Sequence, residues 1–587
     1  MYIDAYHDRR EDVVRVVERH PTGRKYVDLS PVYTFYIPSD KGTIPAIDGK
    51  MVEKKEFRTS RDFNKAIAEY KSYNIPLYES DFSVLYKTLA EVYGSQDVPV
   101  PNKVFFDIEA DFDEVRGYAP IDDPFNKVTA ISMFRSWLDE LIVLTIKPDT
   151  YTREAAEQII NDLNVDHRGT VYLCDTEADM LAIFLELLAD ADILSGWNSE
   201  CYDIPYLVGR ISRILGNEYL KKFCLWGQSP SERETENYGN TIITYDFVGR
   251  VHMDYLLLYK KHNPQVKQSY KLDDIGMEVT KERKVPHDET LDQLYKYDYK
   301  RFLEYSLQDS WLLKLIDAKL DYINLHIRLA HQETVILKTT MGSVDLIDTS
   351  IVNQVHRRGQ VCFNKPDKLV DEQYDYDDDD DDGDQEETFF TEVQDEQPLE
   401  PKAAGAWVQD PKTGLVSWLA VTDLNSLYPS TLRALNMSTE GIIGQIRHTY
   451  TDAYLDEKIQ AQRIKSRSKK FKPDWTAAWH GLFGSLEYTM VQNATDDLLT
   501  VDFETGETIV CTASNLREVL FADGSQFVLS ANGTIFDKSK NGIIPEVLEK
   551  WYSERKLMQA AMNNYQHLVK DGMEIPPDML DELIKDI

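Results

Sequence analysis

KVFFDIEADF, residues 103–112, alternates side chains along an aromatic-rich, apolar stretch, the pattern of a β-strand. Successive strand residues point to opposite faces, so Phe105, Asp107 and Glu109 share one face and Val104, Phe106 and Ile108 the other. Two carboxylates that close to an apolar strand repel unless a cation lies between them. A hard divalent ion that prefers oxygen, Mg²⁺ or Mn²⁺, is the natural counterion. An acidic pair at a strand end is common without any metal, so this stretch acquires meaning only with what surrounds it.

Outward from that strand, helix and strand patterns alternate through residues 103–330. REAAEQIINDLNV and EADMLAIFLELLADA read as helices, which predicts an α/β domain. Upstream, residues 26–38 (YVDLSPVYTFYIP) read as one strand and residues 61–73 (RDFNKAIAEYKSY) as a helix. Two further acidic positions stand out. In LSGWNSECYDIPYL (residues 194–207) an apolar strand meets a glycine turn, then Asn198 and Asp203 five apart, with Pro205 predicting a helix start just past the acid. A helix-capping aspartate reads equally well there. In the helical stretch 301–320, Tyr305 and Asp309 lie four residues apart and so on one face.

The 587 residues allow several domains, and 42% apolar residues can fill substantial cores. The N-terminus has no apolar signal region, and no apolar run is long enough for a membrane helix. Five scattered cysteines (174, 201, 224, 362 and 511) form no C-x-x-C pair, which excludes a disulfide scaffold or zinc ribbon and fits a reducing cytoplasm. The formal charge is −36, unusual for a protein that contacts phosphates. Residues 371–400 hold sixteen Asp or Glu and no Lys or Arg, leaving −20 elsewhere. That low-complexity stretch, with six consecutive aspartates at 377–382, reads as a disordered, solvated insertion. Net charge reports solubility, not the field inside one cleft.

Taken in order, D-I-E, N-x4-D with an aromatic before the acid, and Y-x3-D resemble the three exonuclease motifs of the DEDD-type proofreading nucleases, in the tyrosine-bearing branch of family-B DNA polymerases. The resemblance implies a ribonuclease H-like 3′→5′ exonuclease. Asp107, Glu109, Asp203 and Asp309 would bind two Mg²⁺ (or Mn²⁺) ions, and Tyr305 would position the attacking water. Further on, VTDLNSLYPSTL (residues 421–432) resembles motif A of the polymerase site, after an apolar run read as a strand. By that pattern Asp423 binds the catalytic metals, Ser426, Leu427 and Tyr428 face the incoming dNTP, and Tyr428 excludes a ribose 2′-hydroxyl. Arg555, on a long helix from Ile544, would meet the triphosphate, although Gln559 stands where a lysine is expected.

The layout resembles the replicative polymerases of T-even-type phages. The implied fold is multidomain α/β and α+β: an N-terminal α+β domain (residues 1–101 and 333–372), an exonuclease domain (102–332), the acidic insertion (373–400), a partial palm (401–543) and partial fingers (544–587). Residues 231–249 would form the exonuclease β-hairpin that this group uses in strand separation. The tyrosine of the usual Y-x-G-G/A segment is missing at Ala403–Ala406. Neither K-x3-N-S-x-Y-G nor Y-G-D-T-D-S occurs, so the second polymerase aspartate is not in this sequence. The expectation is a split polymerase, whose C-terminal fragment brings the remaining motifs, the thumb and the sliding-clamp contact. A truncated chain reads the same way. The implied partners are primer–template DNA and single-stranded DNA, and the implied setting is the cytoplasm of an infected bacterium. A stand-alone 3′→5′ exonuclease and a noncatalytic nucleic-acid-binding regulator are the alternatives.

Overall fold

A computed structural model describes residues 2–365, apart from 95–97, 167–168, 238–239 and 287–288. It also describes residues 413–570, apart from 416, 419, 421, 423, 425, 450, 466–496 and 531. The acidic stretch 371–400, Ala403–Ala406 and Asp423 lie outside the described residues. The chain forms two compact units, one of residues 1–46, 50–353 and 361–374, the other of 47–49, 354–360 and 375–587.

In the first unit, β1 (Tyr2–Asp8), β2 (Val13–His20) and β3 (Gly23–Leu29) make an antiparallel meander. A second small sheet has the order β4-β6-β5, from β4 (Tyr33–Pro38), β5 (Ile44–Pro45) and β6 (Met51–Phe57). Residues 26–38 are therefore two strands in different sheets, not one. Pro31 lacks the N–H that would continue the ladder, and the chain changes sheets there.

The principal sheet has six strands in the order β10-β9-β8-β7-β11-β14. They are β7 (Lys103–Ala110), β8 (Val128–Arg135), β9 (Glu140–Ile146), β10 (Thr170–Cys174), β11 (Ile193–Ser195) and, past a hairpin of β12 (Ser231–Asn237) and β13 (Asn240–Asp246), β14 (Val251–His252). Strands β7–β9 are mutually antiparallel, whereas β10, β11 and β14 pair in parallel. Strand β8 is buried almost throughout, because helices cover both faces of the sheet's centre. Val104, Phe106 and Ile108 enter the core beneath β7, leaving Asp107 and Glu109 on the opposite face.

The helices Arg153–Asp166 and Glu177–Leu187 form where residue periodicity placed them. Thr176 caps the second by accepting from the Asp179 N–H at 3.1 Å. The meander is joined to the principal sheet by charge. Arg19 donates to both carboxylate oxygens of fully buried Asp192 at 2.6 and 2.7 Å, and Arg24 adds a third bond at 3.0 Å.

The second unit carries an antiparallel sheet ordered β17-β16-β15-β19-β18, from β15 (Ile442–His448), β16 (Leu498–Phe503), β17 (Thr508–Thr512), β18 (Phe527–Leu529) and β19 (Thr534–Asp537). Ile446, Leu499, Val501, Leu516 and Ile535 fill its core. The long helix expected from residue 544 runs over Ile543–Lys570. The run expected as a strand just before residue 423 lies in large part outside the described residues; of those described, Leu415 and Trp418 stand fully exposed.

Candidate active site

Three elements converge on the acidic face of β7. The helix Tyr299–Leu320 crosses β7 and β8 and is pinned at three places along its length. Tyr299 bonds Thr145 Oγ1 at 3.1 Å, Ser310 Oγ bonds Ser132 Oγ at 2.7 Å, and Asp317 meets Lys103 Nζ at 2.8 Å. Ser132 sits opposite Asp107 in the ladder, and Ser310 follows Asp309 in the chain. That register carries Asp309 to Asp107.

The second element is the loop from β11. Gly196 has room for no Cβ: one built there would lie 2.6 Å from Ser199 Cβ and 3.0 Å from Phe106 O. The loop therefore presses directly onto β7. Asn198 adopts a left-handed φ of 65°, which asparagine tolerates better than most residues. Its N–H and that of Glu200 donate to the two oxygens of Asp254 at 3.1 and 3.0 Å. Asp254 also caps the helix Tyr255–His262 and is held up at about 6 by burial. Asp203 is the first residue of the helix Asp203–Ile214, with Pro205 in its first turn, and the cap position belongs to Tyr202 rather than to Asp203. The Asp203 Oδ1 accepts from the Ile108 N–H at 3.1 Å, which holds the carboxylate against β7 between the two strand acids.

Carboxylate oxygens of Asp107, Glu109 and Asp309 all lie within 4.8 Å of one another. Asp203 stands next to this trio rather than in it. Burial first, then repulsion from Asp309, pushes Asp107 up to about 7. Burial and repulsion from Asp107 hold Glu109 and Asp203 well above the usual carboxylate range. Such a set of oxygen donors, crowded and short of positive charge, fits a hard divalent cation.

One cation of the chain already reaches the cluster, and sequence reasoning missed it. Lys284 Nζ lies 2.5 Å from Asp309 Oδ2 and donates to the Tyr305 hydroxyl at 2.8 Å. Burial opposes its charge, but Asp309, Asp107 and Tyr305 more than offset that and raise its pKa. Lys284 sits in an irregular loop with no periodicity to mark it. The loop is placed by Asp273, which accepts from the Lys284 N–H at 2.8 Å and pairs with Arg283 at 2.8 Å. The helix carrying Asp273, Leu272–Thr280, packs so closely on Leu312 that a Cβ at Gly276 would lie 2.6 Å from it. Tyr305 is buried one turn before Asp309, and burial, then Asp309, raises its phenol.

Of the polymerase residues, Ser426, Leu427 and Tyr428 begin the helix Leu427–Ala434, Ser426 with a φ of 54°. Tyr428 is 71% exposed and so does not serve as a core aromatic among the described residues. Arg433 on that helix pairs with Glu549 and lies 4.7 Å from the Tyr552 ring, fastening it to the helix Ile543–Lys570. Lys556 approaches the same ring at 4.5 Å, while Arg555 and Gln559 are exposed.

A six-stranded sheet of this order, with acids on its first strand answered by acids from two helices, defines a ribonuclease H-like nuclease domain joined to a second, mixed unit. The family described as "DNA polymerase family B, exonuclease domain" matches residues 64–275, and "DNA polymerase family B" matches residues 335–573. The chain belongs to DNA polymerase family B. It is 26% identical to the DNA-directed DNA polymerase of Enterobacteria phage T4 over 422 residues, 68% of this chain and 43% of that one. It is 24% identical to the DNA-directed DNA polymerase of Escherichia phage RB69 over 453 residues, 73% of this chain and 46% of that one. A DNA polymerase of Pyrococcus glycovorans is 20% identical over 443 residues, 74% and 47% of the respective chains. The chain thus spans about half the length of the curated relatives it matches. No helix among the described residues is long and apolar enough to cross a membrane.

Proposed function

We propose that this chain is a 3′→5′ exonuclease that proofreads for a replicative DNA polymerase, of which it carries the N-terminal portion. The observation that carries this reading is the gathering of Asp107, Glu109 and Asp309 oxygens within 4.8 Å, with Asp203 alongside. These four carboxylates would hold Mg²⁺ or Mn²⁺, which when bound lowers the pKa of a coordinated water and screens the phosphate. The chain's own groups supply the rest. Tyr305 offers a hydroxyl one turn from Asp309 to orient the attacking water. Lys284 holds that hydroxyl and Asp309 in place and brings a positive charge to a site that must admit a phosphodiester. Asp203, fixed by the Ile108 N–H, would complete the set of carboxylates beside Asp107, Glu109 and Asp309.

Primer–template and single-stranded DNA are the proposed substrates. Nucleotide incorporation draws on Asp423, on Ser426, Leu427 and Tyr428 at the triphosphate, and on Arg555. It also needs the polymerase motifs absent from this sequence, supplied in the same or a second polypeptide that also carries the clamp contact. The proposed domain division is that given from the sequence. Asp203→Ala tests the reading: oligonucleotide binding, followed by filter retention, should persist while cleavage is lost. Unchanged cleavage refutes the site assignment, and loss of both refutes its separation from binding.

A further inference from the structure

The hairpin β12–β13 is tied by charge to the loop that leads into Asp203. Arg233 on β12 donates to Glu200 Oε1 at 3.0 Å, and its Nε lies 3.7 Å from Asp246 at the foot of β13. Lys338 pairs with the other oxygen of Asp246, so the foot of the hairpin is held from outside as well. Glu200 is three residues before Asp203, and its N–H is fixed by Asp254 on the opposite side. Strand β13 also packs against the helix that Asp203 opens. The segment 198–202 is thus held between two clamps, Asp254 at its backbone and Arg233 at its one acidic side chain. Asn198, in its left-handed conformation, begins that segment.

We infer that Arg233 is a positioning residue for the nuclease site: through Glu200 it sets the segment that delivers Asp203 to β7. The inference rests on the proposed role of Asp203. It makes the hairpin part of the site's framework, so that displacing the hairpin loosens one of the four carboxylates even when no duplex is being opened. A purely strand-separating hairpin has no such effect.

The test uses the full chain and three variants, Arg233→Ala, Glu200→Gln and the exchanged pair Arg233→Glu/Glu200→Arg. Digestion of a 5′-labelled single-stranded oligonucleotide in Mg²⁺ gives kcat and KM, and calorimetry without DNA gives Mn²⁺ affinity. Each single variant should lower kcat about three-fold with KM unchanged, the scale of a partly exposed ion pair. Each should weaken Mn²⁺ binding by a similar factor, and the exchanged pair should regain most of both. Wild-type digestion of single strands by the single variants, or loss confined to duplex ends, overturns the inference. So does an exchanged pair no better than either single variant. If the unaltered chain digests nothing, the nuclease reading fails by itself. The Mn²⁺ isotherms then still decide the coupling, and equal affinities in wild type and Arg233→Ala overturn it.

Discussion

Replacing Asp107 by asparagine should stabilise the metal-free protein, by an amount that grows as pH rises from about 4 to about 7 and is full above that. Asp107 is raised to about 7, from an ordinary value near 3.8, by burial and then by Asp309. A carboxyl group raised in the folded state contributes fully below its unfolded pKa, and that contribution is lost as pH rises through the folded pKa. Three pKa units correspond to roughly 4 kcal/mol. Asp107 keeps partial contact with solvent, which reduces the figure to about 2 kcal/mol. For a unit of roughly 360 residues, an unfolding entropy of about 2.1 cal/mol/K per residue converts this to a Tm rise of about 3 °C. Scanning calorimetry in chelator at pH 8 should show Asp107→Asn melting above the wild type, with the two converging by pH 4. Adding Mg²⁺ should reverse the order, because only the wild type keeps its full set of oxygen ligands. An asparagine variant that melts below the wild type at pH 8 without metal, or a difference that does not change with pH, refutes the electrostatic reasoning.

Three further outcomes follow from particular contacts. Gly196→Ala should lift the Asn198–Asp203 loop from β7, costing about 1–3 kcal/mol in thermal unfolding and reducing single-strand digestion in proportion. Arg210→Ala should destabilise the nuclease unit by about 3–5 kcal/mol in denaturant titration, because it leaves the mostly buried Glu177 carboxylate without its guanidinium partner. Tyr305→Phe should retain the fold and lower kcat about ten-fold at constant KM, the worth of one charge-assisted hydrogen bond. An unchanged rate would remove Tyr305 from the mechanism.

What the sequence made legible was local. The alternation in residues 103–112 assigns Asp107 and Glu109 to one face because strand periodicity depends on nothing distant. The four-residue spacing of Tyr305 and Asp309 does the same on a helix. The hairpin expected over residues 231–249 came from the family resemblance, and β12 and β13 do pair antiparallel there. Long-range pairing was not legible. Nothing in a one-dimensional pattern brings Lys284 to Asp309 across 25 positions, or Arg19 to Asp192 across 173. Asp254 could have been found, since an aspartate just before Tyr-Leu-Leu-Leu is an N-cap pattern, but its hold on the Asn198 loop could not. The run Tyr26–Pro38 misled because its composition is strand-like on both sides of Pro31, and only sheet membership divides it.

The most direct test of a metal-dependent nuclease site on β7 is digestion of a 5′-labelled single-stranded oligonucleotide in Mg²⁺, with Asp107→Ala/Glu109→Ala as control. The account predicts a ladder of products shortened from the 3′ end, absent from the variant and from wild type in chelator. Shortening that proceeds equally in the double variant, or a correctly folded, metal-loaded wild type that yields no ladder, would contradict it.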